Sequence, residues 1–256
     1  MRINKYISHN TKYSRREADE LIKSGKVKIG HKVVTDLSTK VEPGDRVFLN
    51  GKPIKQKHKF TVIVYNKPKG ELVTKRDDRG RRTIYDTLPK KFSHFIPIGR
   101  LDFASEGLLL LTDSPKVASA LMESKLERVY YLKIKGSITP DMEEAMREGL
   151  FLEDATKGAH EKNSQKSMSF SPFVAYKIIK NSPAFSKLKV IISEGKNREL
   201  RRFFAYFDRE VMDLKRVGFA GVELGVLKEG KTRYLTKREY EDLRAYLKEL
   251  EKTNKK

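Results

Sequence analysis

The stretch GRLDFASEGLLLLTD, residues 99–113, constrains the fold of this chain more than any other. Its run Leu108–Leu111 has no polar side that could face water, and such strands are typical of sheets covered on both faces. The loop before it places Arg100 and Asp102 at the rim of the core, where an unpaired carboxylate is costly. From spacing alone, Asp102 can be a turn residue, a structural ion pair or a functional group.

The rest of the chain mixes strand and helix signals without strict alternation. FTVIVYNKPKG (60–70) predicts a buried strand that runs into a turn. Further strands are predicted over RVYYLKIKG (128–136) and KLKVIIS (187–193), and helices over TPDMEEAMREG (139–149), NRELRRFFAYF (197–207) and the capping box Thr236–Glu239 with the residues after it. We therefore expect an α+β fold, in which a small N-terminal domain precedes a mixed, largely antiparallel central sheet flanked by helices.

The N-terminal residues form a unit of their own. Ile3 and Ile7 have the spacing of a short amphipathic helix, and Ser14 with Glu17 predicts a second, capped helix. Strand and turn signals follow, and KPIKQKHK (52–59) indicates a basic linker. We expect a first domain at residues 1–58, a second at 59–248 and a basic tail at 249–256.

Positive charge is the dominant compositional feature. The net charge is +21, from 55 Lys and Arg against 34 Asp and Glu, and residues 1–58 carry 14 basic against 6 acidic side chains. Five of the basic residues crowd the second helix and the strand after it: Arg15, Arg16, Lys23, Lys26 and Lys28. This clustering favours a nucleic-acid partner, because phosphate contacts give affinity without sequence readout. The alternative is a solubility surface that binds nothing.

Several function classes are excluded or disfavoured. The chain has no cysteine, so thiol catalysis, disulfides and cysteine-ligated metals are excluded, and its five histidines show no metal-binding spacing. We therefore expect no metal and no cofactor. No apolar run approaches the roughly 20 residues of a membrane span, and the N-terminus has no apolar signal region. We expect a cytoplasmic protein without a membrane partner.

A second candidate site lies in SEGKNRELRRFFAYF, residues 193–207. The helical wheel places four apolar residues on one face: Leu200, Phe203, Phe204 and Phe207. It places three arginines on the opposite face: Arg198, Arg201 and Arg202. With Asn197 as the predicted cap, this helix start suits a phosphate or a carboxylate. Arg201 lies nearest the apolar face, so it is expected to be partly buried; the alternative is a solvated charged face.

Together these stretches resemble the RsuA/RluB group of rRNA pseudouridine synthases. NKPKG (66–70), GRLDFASEGLLLLTD, RVYYLKI (128–134) and EGKNRELRRF (194–203) are similar to the four motifs of that group, in the same order. SRREADELIKSGKVKIGHKVV (14–34) resembles its S4 RNA-binding domain. The resemblance extends from about Arg2 to Leu247, and the combination of motifs is specific.

The resemblance implies a role for particular residues. Asp102 matches the nucleophilic aspartate of the group, Arg201 the basic residue that pairs with it, and Tyr130 the tyrosine that packs against the target base. Leu200 matches the apolar residue at the floor of the site, and Arg100 the arginine that fills the space left by the flipped base. Arg198 and Arg202 are then expected to contact RNA, as are the five basic residues of the S4-like domain.

The chain departs from the group at two positions and is ambiguous at a third. Glu199 stands where many members have Gln, and Asp208 where a Gly often ends the helix. Tyr131 follows Tyr130 directly, and strand alternation allows only one of them to face the site.

The resemblance implies an enzyme that isomerises a uridine in rRNA to pseudouridine on a flipped-out nucleotide. Residues 74–89 resemble the RluB branch, which favours large-subunit 23S rRNA; small-subunit 16S rRNA is the alternative. Whether Asp102 attacks C1′ or C6, or acts as a base, is open. The expected partner is rRNA or a ribosomal subunit assembly intermediate, bound by a monomer. A non-catalytic S4-domain RNA-binding or ribosome-assembly protein remains a competing interpretation.

Overall fold

A computed structural model describes residues 1–55, 60–159 and 167–253. The chain divides into two compact units, residues 1–61 with 113–117, and residues 62–112 with 118–256. The predicted boundary at residue 58 lies outside the described residues, and so do residues 56–59 of the predicted basic linker.

The N-terminal unit packs two helices with a small antiparallel sheet. Its elements are α1 (Ile3–Asn10), α2 (Arg15–Lys23), β1 (Val27–Ile29), β2 (Lys32–Val34), β3 (Val47–Leu49) and β4 (Lys52–Pro53), with strand order β2-β1-β3-β4. Ser14 and Glu17 form the predicted capping box. The start of the predicted linker, Lys52–Pro53, is instead an edge strand paired with β3. Ile3, Ile7 and Ile22 are fully buried in the unit's own core.

The second unit is built around one large sheet. Its strands are β5 (Val62–Lys67), β6 (Ile96–Pro97), β7 (Glu106–Thr112), β8 (Arg128–Lys135), β9 (Leu150–Leu152), β10 (Met168–Phe170), β11 (Ala175–Lys180), β12 (Phe185–Ile192), β13 (Val211–Phe219), β14 (Val222–Glu223) and β15 (Thr232–Tyr234). The order is β11-β12-β8-β13-β7-β5-β15, with β14 beside β13, β6 beside β7, and β9 and β10 paired apart. Among these pairs β13 and β7 are parallel and the others antiparallel, which confirms the expected mixed sheet.

The helices of the chain after residue 61 are α3 (Ile84–Thr87), a 3₁₀ turn (Lys90–Phe92), α4 (Pro115–Met122), α5 (Pro140–Glu148), α6 (Glu199–Tyr206) and α7 (Lys237–Thr253). Thr236 and Glu239 form the predicted capping box of α7. This helix extends to Thr253, into the stretch 249–256 that the sequence predicted as a tail. In the part of the chain that the structure describes, no helix combines the length and apolar character needed to cross a membrane.

Burial differs between the two halves of the sheet. All residues of β5, and all of β7 after Glu106, are buried, as their apolar runs predict. In β8 burial alternates, so Tyr130 lies on the core face and Tyr131 on the opposite face. Gly107 allows β7 to approach β13 closely, because a Cβ there would lie 2.2 Å from the carbonyl oxygen of Arg216.

Candidate active site

Asp102 lies in the loop between β6 and β7, beside the start of α6. Its Oδ2 atom is 3.5 Å from Nη1 of Arg198 and 3.6 Å from Nε of Arg201. The side chain of Asp102 is 32% exposed, so the carboxylate is open to a ligand on one side. The structure thus brings together the carboxylate and the arginine that the sequence paired, and it adds Arg198 as a second cation.

Arg201 is held in place by two backbone carbonyls and one hydroxyl group around the site. Its Nη1 donates to the Val211 carbonyl at 2.8 Å, and its Nη2 donates to the Ala104 carbonyl at 3.3 Å and to Ser105 Oγ at 3.2 Å. Its side chain is 12% exposed, as the wheel predicted for the arginine nearest the apolar face. Burial lowers the pKa of Arg201, while the charge of Asp102 acts in the opposite direction.

A buried lysine forms hydrogen bonds with the backbone of the Asp102 loop. Lys67, at the end of β5, is fully buried and donates from Nζ to three carbonyl oxygens: Ser105 at 2.8 Å, Pro68 at 2.9 Å and Asp102 at 3.2 Å. Burial lowers the pKa of Lys67 to about 8. An ammonium has three protons to donate, so the charged form satisfies all three carbonyls, two from the Asp102 loop and one from the turn after β5.

A cavity of about 590 Å³ opens over this cluster. Its walls include Asp102, Arg198 and Arg201 together with three other predicted site residues, Arg100, Tyr130 and Leu200. Tyr130 and Leu200 are buried, whereas Arg100 is exposed. Tyr131 lies on the other face of the sheet, so Tyr130 is the tyrosine that lines the cavity together with Asp102.

This arrangement suits attack by a carboxylate on a bound ring-containing substrate. The carboxylate lies beside two arginine cations, and the aromatic ring of Tyr130 lines the same cavity. A carboxylate in such surroundings can form a covalent intermediate with a sugar or base carbon.

Comparison with known proteins identifies the family. A model described as RNA pseudouridylate synthase matches residues 61–206, and an S4 domain model matches residues 1–47. The chain belongs to the RNA pseudouridylate synthase family. This result makes the protein an enzyme and sets aside the interpretation as a non-catalytic RNA-binding protein.

Two relatives and one solved structure are similar to this protein over nearly its whole length. A Helicobacter pylori (strain ATCC 700392 / 26695) protein named "Uncharacterized RNA pseudouridine synthase" is 56% identical over 250 residues, or 96% of this chain and 95% of that protein. The Bacillus subtilis (strain 168) "Ribosomal large subunit pseudouridine synthase B" is 36% identical over 246 residues, or 95% of this chain and 96% of that protein. A "Crystal structure of pseudouridylate synthase" superposes with a TM-score of 0.64 at 25% sequence identity. The superposition covers 95% of this chain and 99% of that one. The predicted resemblance to the RsuA/RluB group is confirmed.

Two predictions about the α6 region of this synthase are wrong. Arg202 is fully buried, and its Nε donates to the Ala155 carbonyl at 2.7 Å, so its guanidinium cannot contact RNA. The helical wheel placed Arg202 on a charged face away from the apolar residues of α6. In the structure, the segment around Ala155 covers that face. Arg198, not Asn197, occupies the N-cap position, with a left-handed backbone at φ 50°. Such strain in a residue other than glycine is typical of functional sites.

Glu199 and Asp208, the two residues that depart from the family pattern, can take the places of the usual Gln and Gly. Glu199 Oε2 accepts a hydrogen bond from the Lys196 backbone N–H at 2.9 Å, as the amide oxygen of a Gln could. Burial raises the pKa of Glu199. Asp208 has φ 57°, the left-handed conformation in which glycine often ends a helix and which Asp tolerates.

Two buried arginines in the cavity wall, Arg216 and Arg128, were missed in the sequence analysis. Arg216 is 3% exposed and lies opposite Tyr130 on the neighbouring strand; its Nε donates to the Leu108 carbonyl at 2.7 Å. Its Nη2 is buried and has no hydrogen-bond partner among the described residues. Arg128 donates to the Leu126 and Ser193 carbonyls at 2.7 and 3.1 Å, and stacks on Phe219 at 4.7 Å. Their buried positions on alternating strands were the available signal.

The basic residues predicted in the S4 domain are all exposed. Arg15, Arg16 and Lys23 lie on α2, Lys26 follows the helix, and Lys28 lies in β1. Lys23 forms an ion pair with Glu20 at 3.3 Å. All five side chains reach solvent, and their contact with RNA stays a prediction.

Proposed function

We propose that this synthase converts one uridine of large-subunit rRNA to pseudouridine, with Asp102 as the nucleophile. The observation that carries the proposal is the position of Asp102 between Arg198 and Arg201 on the wall of a cavity that also contains Tyr130. The large subunit is favoured because the Bacillus subtilis relative carries that name. The partner is then rRNA itself or an assembly intermediate of the ribosomal subunit.

The reaction is an isomerisation that needs no external reagent. The bond between C1′ and N1 breaks, the uracil turns, C5 bonds to C1′, the C5 proton leaves and N1 gains a proton. Asp102 attacks as an anion, at C1′ of the sugar or at C6 of the base, and the bond that it forms breaks again before the product leaves, which restores the carboxylate. The fixed guanidinium of Arg201 favours the ionised form of Asp102 without having to move.

The cavity walls supply the contacts that a flipped nucleotide needs. Tyr130 stacks on the extruded base, an interaction worth about 1–3 kcal/mol in single-strand binders. Leu200 forms the apolar floor, and exposed Arg100 fills the vacated stack. Arg216 donates from Nη2 to an acceptor on the nucleotide, because a buried donor without a partner is costly until a ligand satisfies it. The basic face of the S4 domain contributes salt-dependent affinity.

The test is to map pseudouridines in total RNA from cells with and without the gene. We expect one site in large-subunit rRNA to lose its modification, and a gene copy carrying Asp102→Asn not to restore it. A lost site in small-subunit rRNA would overturn the assignment of substrate but not the nucleophile. Full restoration by Asp102→Asn would overturn the nucleophile.

A further inference from the structure

One half of the central sheet carries lysines on the face that points away from the active site. Strands β11, β12, β8 and β13 bury one face in the main core, where residues of α5 and α6 such as Met142, Met146 and Phe203 pack. The opposite face carries seven lysines, which we call the lysine face: Lys133, Lys135, Lys177, Lys180, Lys187, Lys189 and Lys215. All seven are half-buried or exposed.

The strand register arranges these side chains in rows across the sheet. One row runs Lys177, Lys189, Tyr131, Lys215, and the next runs Lys180, Lys187, Lys133, Asp213. Neighbouring strands are about 4.8 Å apart, and successive rows are about 6.6 Å apart along each strand. The result is a dense two-dimensional lattice of ammonium groups.

Little on this face neutralises that charge. Among the described residues, the register places two carboxylates there, Asp213 and Glu106, the latter beside Lys215. Asp213 already forms an ion pair with Lys69, from the NKPKG turn. Lysines directly opposite each other on adjacent strands, such as Lys187 and Lys133, destabilise a sheet. Here the repulsion between lysines lowers the stability of the sheet, and the two carboxylates are too few to offset it. Such a loss of stability is typical of a functional surface.

Aromatic side chains are interleaved with the lysines. Tyr131 is 43% exposed in the middle of its row. Phe185 holds the ammonium groups of Lys180, Lys133 and Lys187 over its ring at 4.2, 4.8 and 5.9 Å. Cations spaced across a flat surface with an exposed aromatic ring match the combination by which proteins bind phosphate backbones and unstacked bases.

We propose that the lysine face is a second RNA-binding surface, which holds a segment of the substrate RNA away from the target nucleotide. Charge complementarity argues for a polyanion, and the established activity of the family on RNA makes that polyanion RNA. Tyr131 provides a stacking platform there, while Tyr130, on the other side of the same strand, faces the catalytic cavity. The proposal depends on activity toward RNA, not on which rRNA is the substrate.

The test compares two triple variants that remove the same charge. The face variant carries Lys177→Gln, Lys187→Gln and Lys189→Gln; the control carries Lys237→Gln, Lys248→Gln and Lys252→Gln on exposed positions of α7. Binding to deproteinised total rRNA, purified from cells that lack the gene, is measured by filter binding over a range of KCl concentrations.

The face variant should bind more weakly, and its plot of log affinity against log salt should be shallower by about 2–3, because each phosphate contact contributes about 0.7–0.9 to that slope. The control should keep both the wild-type slope and the wild-type turnover rate at saturating RNA. Equal slopes for the two triple variants would overturn the proposal, whether both change or neither does.

Two further measurements guard against a folding defect in the face variant. Replacing the same three lysines by Arg retains the charge and should retain the slope. Ultraviolet crosslinking of the wild-type enzyme to the same rRNA should place a crosslink on Tyr131 itself, resolved from its neighbour Tyr130 by fragment-ion sequencing, or on peptides of β11 and β12. A crosslink map with neither Tyr131 nor peptides of β11 or β12 would overturn the proposal independently of any variant.

Discussion

The Nε atom of Arg201 lies 3.6 Å from Oδ2 of Asp102 and has no hydrogen-bond partner among the described residues. The other two nitrogens of the same guanidinium are held by Val211, Ala104 and Ser105. The position of the cation is therefore set by two backbone carbonyls and the Ser105 hydroxyl, and it does not depend on the carboxylate. Such a preorganised cation stabilises developing charge without reorganising during the reaction.

Replacing Asp102 by Asn should abolish turnover while leaving RNA binding intact. The substitution preserves the shape of the side chain but removes the anion, so we expect kcat to fall by about 10³-fold or more. The Kd for rRNA should stay the same or decrease slightly, because a negative charge is lost beside two arginines. Pseudouridine formation and filter binding are measured on the same preparation. Wild-type turnover by this variant would contradict the assignment of Asp102.

Replacing Arg201 by Lys should lower kcat with little change in KM. Lysine keeps the charge but cannot reproduce the anchoring to Val211, Ala104 and Ser105, since it lacks the planar fork of arginine. A misplacement of about 1 Å at a reacting group can cost about 10²-fold in rate, and we expect a loss of that order.

Arg198→Lys is the matched control for that prediction. Arg198 lies as close to Asp102, but its Nε is anchored to one carbonyl, that of Gly158 at 2.7 Å. The loss of kcat should therefore be smaller than for Arg201→Lys. Equal losses in the two variants would contradict a special role for the anchoring of Arg201, and no loss in either would show that charge alone matters.

The sequence predicted most of the elements because their signals are local. The capping boxes at Ser14 and Thr236, the fully apolar β5 and β7, and the alternation of β8 each depend on neighbours within a few residues. The pairing of Asp102 with Arg201 came from the family resemblance, and the structure places the two side chains together.

What the sequence missed depends on which distant segment covers a given side chain. Arg202 is buried because the chain around Ala155 packs on α6, and no pattern within the helix reveals that contact. Arg128 fits because residue 195 is a glycine, where a Cβ would lie 2.9 Å from its Nε. Lys67 ends an apolar strand, and its three carbonyl acceptors come from loops that only the folded chain brings together.

Deprotonation of Lys67 should lower activity as the pH rises through about 8, the value to which burial lowers its pKa. A neutral amine has two protons for three carbonyl acceptors, so one of the hydrogen bonds that join the Asp102 loop to the turn after β5 is lost. The effect on stability has the opposite sign. Since the folded pKa is below the unfolded one, the contribution of Lys67 to stability is present above about 10.5 and is lost as the pH falls through about 8.

The measurement is kcat against pH from 6 to 10 for the wild type, Lys67→Met and Lys69→Met. The wild type and Lys69→Met should show a descending limb near pH 8, whereas Lys67→Met should be less active and lack that limb. An NMR titration of the ¹³C-labelled lysines gives an independent reading. A descending limb that persists in Lys67→Met would assign it to another group.

His9 should make the S4 domain sensitive to acid. The side chain is 8% exposed on α1, and neither ring nitrogen has a hydrogen-bond partner among the described residues. Burial, with help from the charges of Lys5 and Arg15, lowers its pKa from 6.5 to about 4. The stability that neutral His9 permits is thus fully present above pH 6.5 and is lost as the pH falls toward 4, a loss on the order of 2–3 kcal/mol.

Hydrogen exchange of the full-length protein at pH 7 and pH 4.5 can detect this loss. After correction for intrinsic exchange rates, amides of α1 and α2 should lose protection at the lower pH in the wild type. His9→Phe has a ring of similar size that cannot be protonated, so it should retain most of that protection. Replacing exposed His31 by Phe is the control and should behave like the wild type. If His9→Phe lost as much protection as the wild type, the acid sensitivity would have to arise from the carboxylates of the domain.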